Sequence, residues 1–182
     1  MKIITVDLAA KASAVHIDVD GASMEFCSYE MAPLAFVHKL ARASLGADLV
    51  VIEDVPYGIS NQAMIKTVLR LQGAIIAELG NVNRLSQTVF VNPATWQREM
   101  RVFGQAKTGA ARCAAELGYA SPDMVIMHES SLAALAGAER SKLRAKLRKI
   151  ETDFVDAFLM NAWAKRHLFD IRTLSGVQPP ML

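Results

Sequence analysis

Four carboxylates stand out by position. Asp7 lies near the end of an apolar, β-branched run (Lys2 to Leu8, KIITVDL), and Glu53 follows a second such run, Leu49-Val50-Val51-Ile52. Each sits among apolar neighbours, where a carboxylate needs a partner to offset its lost hydration. Asp153 and Asp156 are spaced i, i+3, so a helix through them can project both from one face. That pair has two readings: an N-cap followed by a first-turn acid complementing the helix dipole, or two ligands of a shared site. Four acids gathered together would repel, and some would stay protonated unless a cation intervened. A hard divalent ion such as Mg²⁺ takes carboxylate oxygens and keeps waters beside a substrate phosphate. Two such ions roughly 4 Å apart can activate a water and stabilise the leaving oxygen of a phosphodiester. The chemistry indicated is metal-assisted phosphoryl hydrolysis.

Other reactive side chains rank below these. His16, His38, His128 and His167 share no ligand spacing and read as structural or surface residues. Asp54 follows Glu53 directly, so in a strand it points to the opposite face. Cys27 and Cys113 read as small core residues, and Trp96 and Trp163 as core or interface.

The elements that must position the acids follow from periodicity. Lys2 to Leu8 reads as a buried strand. Ser13 to Val19 alternates, with Ala14, His16 and Asp18 on one face and Val15, Ile17 and Val19 on the other, the pattern of a half-exposed strand. Asp20-Gly21 is a two-residue hairpin signal, and Ser23 to Tyr29 returns as a third strand. Leu34, Val37, Leu40, Ala41 and Leu45 predict a helix over Met31 to Leu45, ended by Gly46. Leu49 to Ile52 is too short for a globular helix and suits a central strand covered on both faces. Pro56-Tyr57-Gly58 breaks it, and a helix over Ser60 to Leu79 stops at Gly80. Thr88 to Val91 is a fifth strand, and Asn92-Pro93 a helix start. A loop around Gly104 leads to a helix over Thr108 to Leu117, closed by Gly118. Met124 to Met127 reads as a brief strand and Ser130 to Ala138 as helical. The basic stretch after it reads as another helix, and Thr152 to His167 as a closing helix capped by Thr152 or Asp153. The result is a mixed-sheet α/β domain, three antiparallel strands extended by two parallel ones, spanning 1–172 with a loose tail at 173–182. If the first strand lies beside the fourth, Asp7 and Glu53 share one sheet edge, where open α/β sheets carry their sites.

At these residues a resemblance enters. VDLAAK, VVIEDVPYG, TGAARCAAELGY and ETDFVDAFLMNAWA, in that order, resemble the RuvC-type Holliday-junction resolvases of the RNase H-like superfamily, their phage members above all. The resemblance covers most of the chain. It implies an RNase H-like fold and a homodimeric crossover junction endodeoxyribonuclease that nicks branched DNA, using Mg²⁺ or Mn²⁺, two ions per active site. By it Asp7, Glu53, Asp153 and Asp156 are the catalytic metal ligands. Lys11 resembles a basic residue of the family's first loop, and Arg98 and Lys107 basic residues facing the scissile phosphate; each is otherwise an ordinary surface cation. Tyr57 stands one place from the family's junction-centre aromatic, an offset that Pro56 occupies here. Two departures bear on selectivity: no Gly follows Asp7, and 120–149 reads as an insertion before the last helix. The Ser60 to Leu79 helix is either the family's dimer contact or core. Two alternative functions fit the same residues. One is a broader structure-selective nuclease of forks, flaps and replication intermediates; the other is a non-catalytic RNase H-like DNA-binding protein whose acids cap and pair. Actin-like sugar kinases also open on an acid-bearing strand and hairpin, but their second half needs far more than 182 residues.

Composition sets the remaining bounds. With 52% hydrophobic and 21% charged residues the chain is a folded domain rather than a disordered one. The two cysteines form neither a disulfide framework nor a zinc pattern, and the expected home is a reducing cytoplasm. Asp7 interrupts an opening apolar stretch too short for a signal peptide, and no run approaches the ~18 apolar residues of a membrane span. The net charge of +2 hides an asymmetry: residues 1–60 carry four basic and eight acidic side chains, residues 61–120 seven and three. From 139 to 149 six basic residues face Glu139 alone, so Lys142 to Lys149 is a candidate extension of a phosphate-tracking surface, or else a solvated helix face. Setting the four acids aside raises +2 to +6, and the expected affinity for DNA is salt-sensitive.

Overall fold

Strand β1 (Lys2–Asp7) is the axis of the molecule: it sends Ile4 and Val6 into one hydrophobic core and Ile3 into another on the opposite face. In a computed structural model describing residues 1–9, 12–29, 31–55, 61–105, 107–122, 125 and 132–168, it is the middle of five strands. β1 pairs antiparallel with β2 (Ala14–Val19), which pairs antiparallel with β3 (Ala22–Cys27). On its other side it pairs parallel with β4 (Leu49–Glu53), which pairs parallel with β5 (Thr88–Val91). The order β3-β2-β1-β4-β5 is the mixed α/β sheet the sequence predicts. Asp20 and Gly21 take φ of 51° and 92°, the two left-handed residues that a tight hairpin between Val19 and Ala22 requires.

Helices α1 (Pro33–Ser44) and α2 (Gln62–Asn81) cover one face, packing Phe36, Leu40, Val68, Ile75 and Leu79 onto Ile4, Val6, Val50 and Ile52. Helices α3 (Pro93–Glu99), α4 (Lys107–Glu116) and α5 (Gly137–Arg166) cover the other, where Trp96, Ala114, Leu159 and Met160 meet Ile3, Leu49 and Val51. Asn92 caps α3 by accepting from Ala94 N at 2.9 Å, with Pro93 in the first turn. Short 3₁₀ turns lie at Leu85–Gln87 and Leu132–Ala134. Among the described residues, no helix is long and apolar enough to cross a membrane.

Four expectations change. β2 is buried on both faces rather than half-exposed, because α5 covers His16 and Asp18, 2% and 5% exposed. α2 continues through Gly80 to Asn81. Its stripe residues Val68, Ile75 and Leu79 are core, while Met64 and Leu69 on the same helix are exposed. Neither Thr152 nor Asp153 caps anything: one 30-residue helix runs from Gly137 through both. Thr152 Oγ1 instead donates back to Arg148 O at 2.8 Å, the mid-helix alternative to capping. Of the predicted strand Met124 to Met127 the described residue is Val125, which is helical and buried, and of the segment Ser130 to Ala138 the described part is the 3₁₀ turn and the start of α5. The tail at 173–182 lies outside the described residues.

Candidate active site

Three hydrogen bonds fix α5 antiparallel to β1. Asn161 Nδ2 donates to Ile3 O at 3.4 Å, and Thr5 Oγ1 donates to Ala157 O at 2.7 Å. Lys165 Nζ donates at 2.6 Å to Oδ2 of Asp18, the β2 partner of Ile3. Four helical residues rise ~6 Å and two strand residues ~6.6 Å, so helix and strand advance in step. Asn161 lies at Ile3 and Ala157 at Thr5; the next step brings Asp153 to the level of Asp7. The i, i+3 spacing keeps Asp156 on the same flank.

Asp7 ends β1 and Glu53 ends β4, and the register Val6 to Ile52 makes them neighbours at the carboxyl ends of two parallel strands. Glu53 shares the strand face of Leu49 and Val51, which belongs to the α5 side. Trp96, fully buried, donates from Nε1 to Glu53 Oε2 at 3.1 Å and so fixes the carboxylate from α3. Asp54, on the opposite face as expected, accepts from Val55 N and from Gln72 of α2.

Electrostatics tie the four acids together. Asp7 is 7% exposed, and its carboxyl is held well above the usual range, first by burial and then by the charges of Glu53, Asp156 and Asp153; Lys149 acts in the opposite sense. Burial pushes Glu53 up to about 8, against the Trp96 hydrogen bond and with added repulsion from Asp156 and Asp153. Lys149 Nζ lies 2.8 and 3.2 Å from the two oxygens of Asp153, an i, i+4 ion pair.

Among the described residues, no three His, Cys, Asp or Glu side chains converge on a ready-made metal-binding point. The donor set still fits a hard divalent cation. It is all carboxylate oxygen, Asp7 and Asp153 are buried and Glu53 and Asp156 half-buried, the acids repel one another, and one of them already holds an ammonium. A metal would have to draw the carboxylates inward and compete with Lys149 for Asp153.

Of the remaining predicted residues, Arg98 is the one whose side chain is described. Arg98 is exposed in the last turn of α3, its guanidinium 4.8 Å from the centre of the Phe103 ring. Lys107 opens α4, with its side chain outside the described residues, as are Lys11 and Tyr57 altogether. His16, His38 and His167 pair with Glu25, Glu78 and Glu99 at 2.7, 2.9 and 2.6 Å, the structural roles expected; His128 lies outside the described residues. Sequence reasoning missed two contributors. Trp96 fills the core as predicted, but its bond to Glu53 spans 43 residues and leaves no local signal. Lys149 reads as one cation among six; its position four before Asp153 is the signal that could have singled it out.

No protein-family model matches the chain, and no curated protein matches it in sequence. Solved structures do match in architecture. Thermus thermophilus RuvC in complex with Holliday junction substrate is 11% identical with a TM-score of 0.56, over 91% of this chain and 95% of that one. A second Thermus thermophilus RuvC structure is 12% identical with a TM-score of 0.53, over 91% and 96%. The β3-β2-β1-β4-β5 sheet closed by α5 is therefore a RuvC-like fold of the RNase H-like class.

Proposed function

We propose that this protein is a divalent-metal-dependent endonuclease that nicks branched DNA and resolves four-way junctions. One observation carries the reading: on a RuvC-like fold, Asp7, Glu53, Asp153 and Asp156 come from three separate elements to one end of the sheet and share one electrostatic field. Mg²⁺ or Mn²⁺, two ions per site, would supply there the polarised phosphate and the acidified water of phosphodiester hydrolysis. The chain's own residues do the positioning. Asp7, the more enclosed of the two acids at the strand ends, faces both Glu53 and the α5 pair and would hold the metal together with them. Trp96 holds Glu53 in orientation, and the Thr5 and Asn161 hydrogen bonds hold α5 in register so that its acids meet the strand ends. Lys11, Tyr57, Arg98 and Lys107 are the residues this reading gives to DNA contact. A homodimer fits symmetric nicking, and the exposed Met64 and Leu69 of α2 suit a contact between copies.

The test is nicking of a synthetic four-way junction, with cut sites mapped, against Y-forks, flaps and linear duplex. The expected result is Mg²⁺-dependent paired nicks at the junction, and an Asp7→Asn variant that binds the junction without cutting it. Equal cleavage of forks and flaps would favour a broader branch-selective nuclease. Nicking by Asp7→Asn at the wild-type rate would refute the ligand assignment.

A further inference from the structure

We propose that Lys142, Lys146 and Lys149 form a track along α5 that carries the phosphates of one DNA strand to the carboxylates. This deepens the nuclease reading above and rests on it. At 100° per residue, Lys142, Lys146, Lys149, Asp153 and Asp156 step by four, three, four and three residues and fall within an arc of about 80°. The lysines therefore stand in line with the acidic pair. Arg140, Arg144 and Arg148, each four residues apart, fall on the opposite side of the helix. Between the two rows Leu147 and Ile150, both 2% exposed, seat the helix on the protein. The arginine flank turns elsewhere: Arg148, Thr152 and Val155 line a cleft against Thr108 and Ala111 of α4. A helix made basic only for solvation has no need to sort lysine from arginine by face.

Two contacts tie the row to its task. Lys149 already reaches the carboxylates, at 2.8 Å from Asp153, so the row ends inside the site. Lys146 Nζ sits 3.8 Å from the centre of the Tyr29 ring, which steadies the helix beside the third strand. From Lys142 to Asp153 the rise is about 16 Å, the axial length of roughly five base pairs. Lysine suits the role, being a mobile point charge that can follow phosphates without demanding one geometry. A cation taking over Asp153 would free the Lys149 ammonium for the phosphate nearest the cut.

The experiment compares the triple variant Lys142→Gln, Lys146→Gln, Lys149→Gln with the triple variant Arg140→Gln, Arg144→Gln, Arg148→Gln. Four-way junction affinity is measured by fluorescence anisotropy in EDTA from 50 to 200 mM salt, with circular dichroism confirming that both variants fold. The lysine triple should flatten the slope of log affinity against log salt by roughly 2, because in EDTA Lys149 stays with Asp153, and the arginine triple by less than about 1. If the lysine triple fails to fold, the exposed single variant Lys142→Gln should still flatten it by about 1. Wild-type protein that binds and nicks junctions while both triples lose equally, or while the lysine triple keeps its slope, overturns the track alone. Wild-type protein with no salt-dependent DNA binding overturns the track and the nuclease reading together.

Discussion

In the metal-free protein, replacing Glu53 by Gln should raise thermal stability at pH 8. Glu53 titrates near 4.5 in an unfolded chain and at about 8 in the fold, because burial and the α5 acids disfavour its charge. Between those values the folded state holds a proton that the unfolded state has released. Its contribution to stability is therefore lost as pH rises through that window and levels off above it, the reverse of a salt-bridged carboxylate. The full difference corresponds to roughly 5 kcal/mol, and water reaching the half-buried carboxylate reduces it to about 2 to 4 kcal/mol. For a chain of this length that is roughly 5 to 15 °C in Tm. Gln has nearly the same volume and keeps an oxygen to accept from Trp96, so the charge is the main thing removed. The assay is thermal melting in EDTA from pH 4.5 to 9. Wild type should lose stability with rising pH and the variant should lose distinctly less; Asp7, raised in the same direction, leaves a residual slope. Added Mg²⁺ should stabilise wild type at pH 8 and narrow the gap. A variant less stable than wild type at pH 8, or one with the same pH slope, would refute the claim that Glu53 is a destabilised carboxylate awaiting a cation.

Trp96→Phe removes the donor to Glu53 and shrinks a fully buried side chain; it should cost about 1 to 3 kcal/mol and weaken Mn²⁺ binding by roughly 10- to 100-fold. Because that hydrogen bond pulls the Glu53 titration down, the inflection in metal-free stability should move above pH 8; calorimetric metal titration and pH melts check both effects. Lys149→Gln removes the ammonium that competes for Asp153, so the Mg²⁺ concentration giving half the maximal rise in Tm should fall severalfold. The metal-free loss should stay under about 1 kcal/mol, since Lys149 is 43% exposed in that pair. Unchanged or weaker Mg²⁺ binding would show that the ion pair does not oppose the metal.

The sheet and its two parallel additions were legible because their signals are local. KIITVDL alternates between two apolar cores, Asp20-Gly21 dictates its own turn, and Asn92-Pro93 marks the start of α3. What stayed hidden depends on partners far along the chain. Ser13 to Val19 looks half-exposed because His16 and Asp18 are polar; only the fold shows that Glu25 and Lys165 satisfy them beneath α5. The closing helix appears capped at Thr152 because charge density changes there. No Gly or Pro interrupts 138–166, and the stripe Leu143, Leu147, Ile150, Phe154, Ala157 crosses the supposed boundary unbroken. The positions of the candidate site's carboxylates at strand ends could be read from the sequence, whereas Trp96 on Glu53 and Lys149 on Asp153 are pairings that only a completed fold makes visible.

The hydrogen bonds that register α5 on β1 and β2 join residues 147, 152 and 158 positions apart. During synthesis, then, the first two acids leave the ribosome well before the last two exist, and contacts of such sequence separation close late in folding. A nascent or truncated chain ending ahead of Asp153 would carry two of the four carboxylates over a sheet face that α5 no longer covers. On the nuclease reading proposed above, any hydrolytic capacity would wait on the docking of α5, because two of the four carboxylates reach the sheet only with that helix.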